Sequence, residues 1–258
     1  MTKTGTKEWA EVNKNFLKGC EHGCKYCYAY NMAKRFKRVK DSEDWKKPEL
    51  LNTKFKEKPV KCKGRIMFPT THDILPEFIE QTVVYLRRWL EVGNDILIVS
   101  KPHFDCIKRL CNELEEFKDQ IVFRFTIGSK HDFILKFWEP NAPTCDERIS
   151  ALVYAFNSGY KTSVSCEPYL DSDIVSLVEG VLPFVTDTVW IGKMNRINSR
   201  VDTTGWPKRD LDLLQDVKDA QTDEFIKEFL YEEFKNEPKV RWKDSVKSVL
   251  GLPEEEIG

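Results

Sequence analysis

The run GCEHGCKYCYAY, residues 19–30, sets Cys20, Cys24 and Cys27 in a C-x3-C-x2-C spacing with Gly19 and Gly23 at its turns. Three thiols this close point to a metal. A structural zinc takes four protein ligands, commonly from two C-x2-C-like pairs. The other cysteines, Cys62, Cys106, Cys111, Cys145 and Cys166, are scattered and supply no second pair. A zinc knuckle completed by His22 or a distant Cys is one reading. The other is a 4Fe–4S cluster, in which three thiolates hold three irons and leave the fourth open to a ligand. The two glycines let a short loop wrap a bulky group without Cβ clashes.

Such a loop needs a scaffold, and the rest of the chain supplies one. NKNFLKG (13–19), GRIMFPTT (64–71), NDILIVSK (94–101), QIVFRFTIG (120–128), KTSVSC (161–166) and DTVWIGK (187–193) read as short, apolar strands. Amphipathic stretches separate them. Phe78, Ile79, Val83, Leu86 and Leu90 share one helical face with Gly93 as a stop, and Thr144 with Glu147 opens another helix as a capping box that ends near Gly159. Alternating strands and helices imply a parallel sheet with right-handed crossovers. Six units are too few for an eight-fold barrel. The expected fold is α/β, a partial open (β/α)6 TIM-like barrel over residues 1–206. Residues 207–258 are expected to form a short acidic helical extension packed on it, with FIKEFLYEEF as the core-facing piece.

In such barrels chemistry collects at the C-terminal strand ends. The candidates there are Thr70, Thr71 and Asp73 in FPTTHD, Thr126 and Ser129 in RFTIGS, Cys166, Glu167 and Tyr169 in SCEPYL, and Lys193 and Asn195 in VWIGKMN. Asp73 has an alternative role as a cap for the next helix, and Ser129 as a turn residue. Glu167 at a barrel mouth is costly unless it binds something or pairs with an Arg. Strand alternation places the end of KTSVSC at the mouth. The alternative for Cys166 is plain packing, and for Tyr169 a place in the core.

Hydrophobic content of 41% fits a packed core, and the net charge of −1 excludes a uniformly basic chain. Charge is unevenly spread, however. Residues 34–65 hold thirteen Lys and Arg against five acids, a local excess of eight positive charges. This stretch is either a solvated insertion or a surface that steers nucleic acid. No signal peptide or run long enough for a membrane span is evident, so a cytoplasmic protein with reduced cysteines and no membrane partner is expected.

A C-x3-C-x2-C loop after the first strand of a partial barrel, with Tyr26 just before the last Cys, resembles the radical SAM superfamily. NKNFLKGCEHGCKYCYA, EPNAPTCDERISAL and SVSCEPYLD resemble its spore photoproduct lyase-like branch and phage-associated relatives, over roughly residues 13–193. The resemblance implies a 4Fe–4S cluster on Cys20, Cys24 and Cys27, with S-adenosylmethionine on the open iron. It implies reductive cleavage to a 5′-deoxyadenosyl radical, an electron donor such as flavodoxin or ferredoxin, and hydrogen abstraction from a substrate.

Tyr26, Thr70, Thr71, Asp73, Thr126, Ser129, Glu167, Lys193 and Asn195 then become cofactor-binding candidates. FPTTHD stands where many members carry a glycine-rich segment. Cys166 would donate hydrogen to a product radical and Tyr169 would relay one. A nucleic acid or nucleotide is the expected substrate. A small metabolite or peptide substrate, and a non-catalytic zinc- or cluster-binding protein, are the alternatives.

Overall fold

The computed structural model describes residues 5–253. Seven strands form one all-parallel sheet: β1 (Val12–Asn13), β4 (Ile66–Phe68), β5 (Ile96–Ser100), β6 (Ile121–Thr126), β7 (Lys161–Cys166), β8 (Val189–Ile191) and β9 (Val240–Trp242) lie in that order. A two-stranded antiparallel ladder, β2 (Leu17–Lys18) with β3 (Glu49–Leu50), sits beside it. The sheet is open, with β1 and β9 as its edges. This is the expected fold class with one strand more. The seventh strand comes from the C-terminal stretch, where helices alone were expected.

Alternation along the strands divides the molecule. Ile66, Ile96, Ile98, Phe123, Phe125, Val164, Val189 and Ile191 face the helices in the main core, while Met67, Leu97 and Val122 pack with Ala10 inside the curve of the sheet. Both faces are therefore covered, as parallel sheets require. The helix Ile79–Glu91 buries Val83, Leu86 and Leu90 as the spacing predicts, and Gly93 follows it with φ +85°. Thr144 caps the helix Cys145–Asn157, its hydroxyl accepting from the Glu147 N–H at 3.3 Å. Glu147 does not return the bond; its carboxylate accepts from the Phe104 N–H at 3.0 Å instead. In FIKEFLYEEF, Ile226, Leu230 and Phe234 are buried at a four-residue spacing.

The first expected strand, 13–19, divides in two. Asn13 ends β1, and Leu17 and Lys18 leave the sheet to pair with β3. No backbone ladder joins β1 to β9. An ion pair spans that seam: Lys243 Nζ lies 2.7 Å from Glu8 and donates to the Gly5 carbonyl at 3.0 Å. Among the described residues no helix is long and apolar enough to cross a membrane.

Candidate active site

A cavity of about 510 Å3 opens at the C-terminal ends of the strands. Cys20, Cys24 and Cys27 line one wall of it. Their loop is held from outside by the backbone: the Cys20 N–H donates to the Trp45 carbonyl at 3.0 Å, and Cys27 Sγ caps the helix Tyr28–Arg35 by accepting from the Tyr30 N–H at 3.4 Å. Gly19 adopts φ +93°, and a Cβ there would stand 2.6 Å from the Trp45 carbonyl oxygen. Only glycine fits. Trp45 is buried against Ala29, Ala33 and Val39 as a hydrophobic anchor under the basic segment.

The three thiols share a wall without converging on a point. Among the described residues no three His, Cys, Asp or Glu side chains form a site for a single metal ion. Burial pushes all three thiols upward, Cys24 to about 12. Any metal held there must therefore displace their protons.

The other walls come from the strand ends. After β4, Asn15 braces the turn: its Oδ1 accepts from the N–H groups of Thr70 and Thr71 at 2.7 and 2.8 Å, and its Nδ2 donates to Thr70 Oγ1 at 2.6 Å. The Tyr28 hydroxyl donates to the Thr70 carbonyl. Asp73 is a hub. Its carboxylate accepts from the Ile74 N–H at 2.8 Å, the Lys101 N–H at 3.0 Å and the Ser100 hydroxyl, and lies 3.4 Å from His22 Nδ1. Burial would raise its carboxyl, but His22, Lys101 and Ser100 outweigh that and hold it well below the usual range. With its oxygens engaged, Asp73 positions the loop around the cavity. It does not act through Pro76 as a cap.

Tyr26 is part of a second network behind the cysteines. Its hydroxyl donates to Glu139, which pairs with Arg148 at 2.5 Å and lies 3.8 Å from Lys101 Nζ. Lys101 Nζ also sits 5.7 Å from the centre of the Tyr26 ring. Lys101, at the end of β5, lines the cavity and is not among the residues expected from the sequence. The signal was available in VSK.

Thr126, Glu167, Lys193 and Asn195 line the same cavity. Glu167 has a lysine partner rather than an Arg, with Lys243 at 3.5 Å. Burial pushes its carboxyl up to about 7 against the pull of Lys243, with Glu8 and Asp244 adding to the rise. Arg200 and Tyr28 also face the cavity and were not anticipated.

Three expected residues are not brought to the cavity. Cys166 is fully buried on the helix side of β7, because Ser165 and Glu167 take the inward positions. Tyr169 is in the core with its hydroxyl donating to the Ala220 carbonyl at 2.9 Å. Ser129 is buried, and its hydroxyl accepts from the His131 N–H at 2.9 Å in a turn. Cys166→Ala should therefore leave any cofactor chemistry within about twofold of wild type and cost stability instead, by roughly 1–2 kcal/mol for a small buried side chain. Product analysis beside thermal unfolding checks this; diverted products with unchanged stability would contradict it.

The basic stretch is one run in sequence and two regions in space. Lys34, Arg35, Lys37, Arg38 and Lys40 are exposed beside the cysteine loop, around Phe36, which is 59% exposed. Residues 55–65 lie at the other end of the strands, where Lys61 donates to the Gly93 carbonyl and the Cys62 N–H donates to Asn94.

No protein-family model matches the chain. It is 31% identical over 165 residues to an uncharacterized protein, ORF301, of Acidianus two-tailed virus, an alignment covering 60% of this chain and 54% of that protein. The chain thus spans about half the length of the curated relative it matches. Among solved structures it resembles spore photoproduct lyase complexed with dinucleoside spore photoproduct, with a TM-score of 0.55 and 17% identity, over 81% of this chain and 64% of that one. A variant of that lyase with AdoMet and the dinucleoside bound gives 0.52 and 15%, over 81% of this chain and 61% of that one. Streptococcus suis SuiB bound to S-adenosylmethionine gives 0.54 and 13%, over 96% of this chain and 53% of that one. These likenesses establish a shared open-barrel fold.

Proposed function

We propose that this chain, which has the fold of the radical SAM enzymes, is itself one, and that its substrate is a nucleic acid or nucleotide. One observation carries the chemistry: three thiols on one wall of a cavity whose other walls are polar strand ends. A 4Fe–4S cluster with S-adenosylmethionine on its open iron supplies, when bound, one-electron cleavage of the sulfonium to a 5′-deoxyadenosyl radical.

The protein's part is holding and shielding. Cys20, Cys24 and Cys27 would hold the cluster, and Tyr26 and Trp45 brace the loop that carries them. Lys101 offers an ammonium for a carboxylate. Thr126 and Asn195 offer a hydroxyl and an amide for a ribose, and Met67 and Val99 an apolar wall. Glu167, with its carboxyl near 7, can donate or accept a hydrogen bond around neutral pH. An external donor of the flavodoxin or ferredoxin type would deliver the electron. After anaerobic loading, about four iron and four sulfide per chain are expected; one zinc and no sulfide would overturn this reading.

Support for a polyanionic substrate is the exposed cationic surface beside the cysteine loop, with Phe36 as a surface on which a base could stack. Affinity for a single-stranded oligonucleotide is expected to fall at least about tenfold between 50 and 200 mM salt, through counterion release. Arg35→Glu with Arg38→Glu should reduce the slope of log K against log salt by roughly two. Binding that ignores salt would favour a small metabolite or peptide.

A further inference from the structure

The helix Tyr28–Arg35 carries an apolar stripe to the surface. Tyr28, Met32 and Phe36 recur every fourth residue and share one face, and the Phe36 N–H still closes the helical bond to the Met32 carbonyl at 3.0 Å. They are 38%, 43% and 59% exposed in that order. Tyr28 and Met32 line the cysteine cavity and Phe36 does not, so the stripe starts at the mouth and runs outward. At about 1.5 Å per residue it is roughly 12 Å long. Apolar groups exposed in a row, rather than scattered singly, mark a surface that a ligand covers.

Positive charge flanks the stripe. The guanidinium carbons of Arg35 and Arg38 lie 5.9 and 5.4 Å from the centre of the Phe36 ring. Lys34, Arg35, Lys37, Arg38 and Lys40 make no ion pair among the described residues. The acids that follow them are engaged elsewhere: Glu43 pairs with Lys46 at 2.7 Å, and Asp41 and Asp44 accept from the N–H groups of Asp44 and Lys40 at 2.9 and 3.0 Å.

Arg200 marks the mouth end. It lines the cavity, half-buried, and its guanidinium has no hydrogen-bond or ion-pair partner among the described residues. Burial and the neighbouring Arg196 lower it from its ordinary value, with Glu167 pulling the other way. Asn31 ties this segment to the helix of the stripe, its Nδ2 donating to the Arg200 carbonyl at 3.3 Å and to the Cys27 carbonyl at 3.0 Å. An unpaired guanidinium suits an anion that it can meet with two N–H donors, and phosphate is such a group.

The pairing of cations with an apolar stripe decides the ligand. A duplex would satisfy the cations, but it hides the faces of its bases. An acidic peptide matches the charge and offers no flat surface. An unpaired strand supplies both, phosphates for the cations and base faces for the stripe. We propose, building on the nucleic-acid reading above, that the substrate is a nucleotide within an unpaired strand, its phosphate on Arg200 and the neighbouring bases laid along Tyr28, Met32 and Phe36.

The test is fluorescence anisotropy at low salt with a labelled octathymidylate, on the full chain both as isolated and after anaerobic loading with iron and sulfide. Competitors are thymidine 5′-monophosphate, tetrathymidylate, unlabelled octathymidylate, a hairpin duplex with as many phosphates as the octamer, and octaglutamate. Tetrathymidylate should compete at least about tenfold better than the monophosphate, and the octamer at least about tenfold better than the duplex or octaglutamate. Phe36→Ala should weaken the octamer about tenfold and leave the monophosphate unchanged. Arg200→Gln should weaken both and lower the salt slope by about one. Melting curves confirm that the variants fold, and the competitor series on wild type needs neither. A monophosphate, duplex or octaglutamate that competes as well as the strand, or variants that bind the octamer as wild type does, overturns the proposal while salt-dependent binding leaves the polyanionic substrate standing. No binding of any polyanion overturns both.

Discussion

Glu139→Gln is expected to destabilise the protein by about 3–5 kcal/mol, the range for removing one partner of a buried ion pair. Glu139 is 1% exposed and Arg148 fully buried, so the guanidinium left behind cannot recover its charge compensation from water. Arg148 would keep neutral acceptors only, the carbonyls of Pro143 and Thr126 at 2.9 and 3.1 Å and the amide oxygen of the new glutamine. At roughly 2–4 °C per kcal/mol for a chain of this size, the melting temperature should drop by about 6–20 °C.

Adding Arg148→Met should recover part of that loss, because no unpaired charge then remains. Acid should act in the same direction as the mutation. Burial would raise the Glu139 carboxyl, but Arg148 and Lys101 bring it below its ordinary 4.5. The pair's contribution is therefore complete above that pH and is lost as pH falls through the lowered value. Thermal unfolding of the single and double variants, at neutral and acidic pH, checks both statements; a single variant as stable as wild type would show that the pair does not hold the loop.

Cys20→Ala, Cys24→Ala and Cys27→Ala should each lose most bound iron after reconstitution. Deoxyadenosine formation should fall further than the roughly 10–100-fold typical of losing a group that only supports a metal ligand. Cys106→Ala and Cys111→Ala are the matched controls. Both side chains are buried in the helix Phe104–Glu113, away from the cavity, and should keep their iron. Iron analysis of the five variants separates a cluster on three named thiols from adventitious iron on any cysteine.

The spacing of the cysteine loop was legible because it is local, but the reason for the glycine at 19 was not: it was expected to make room for a bulky group, and the structure sets it at positive φ against the Trp45 carbonyl. The alternation of strands and helices was legible for the same reason, since period and caps are local. What depended on long-range placement was not. β9 is three residues, Val240–Trp242, flanked by charge, and becomes a strand only because the β8 edge is there to pair with.

Parity misled the reading of β7: its end does reach the mouth, but an inward Ser165 and Glu167 oblige Cys166 to face the helices. The partner of Glu167 was unreadable because Lys243 comes from 76 positions away along the chain, beyond β9. The Lys-rich stretch looked like one patch because charge can be counted along a sequence. Its division between two ends of the barrel follows because β3 leads the chain away from the cysteine loop and residues 55–65 must reach the start of β4 at Ile66.

The most direct test of the proposed chemistry is anaerobic. The wild-type chain, reconstituted with iron and sulfide, is mixed with S-adenosylmethionine and dithionite, and 5′-deoxyadenosine is quantified by chromatography with and without oligonucleotide. Deoxyadenosine that depends on Cys20, Cys24 and Cys27 is the predicted result. A chain that takes up zinc in place of a cluster, or one that carries a full cluster yet forms no deoxyadenosine under either condition, would contradict it.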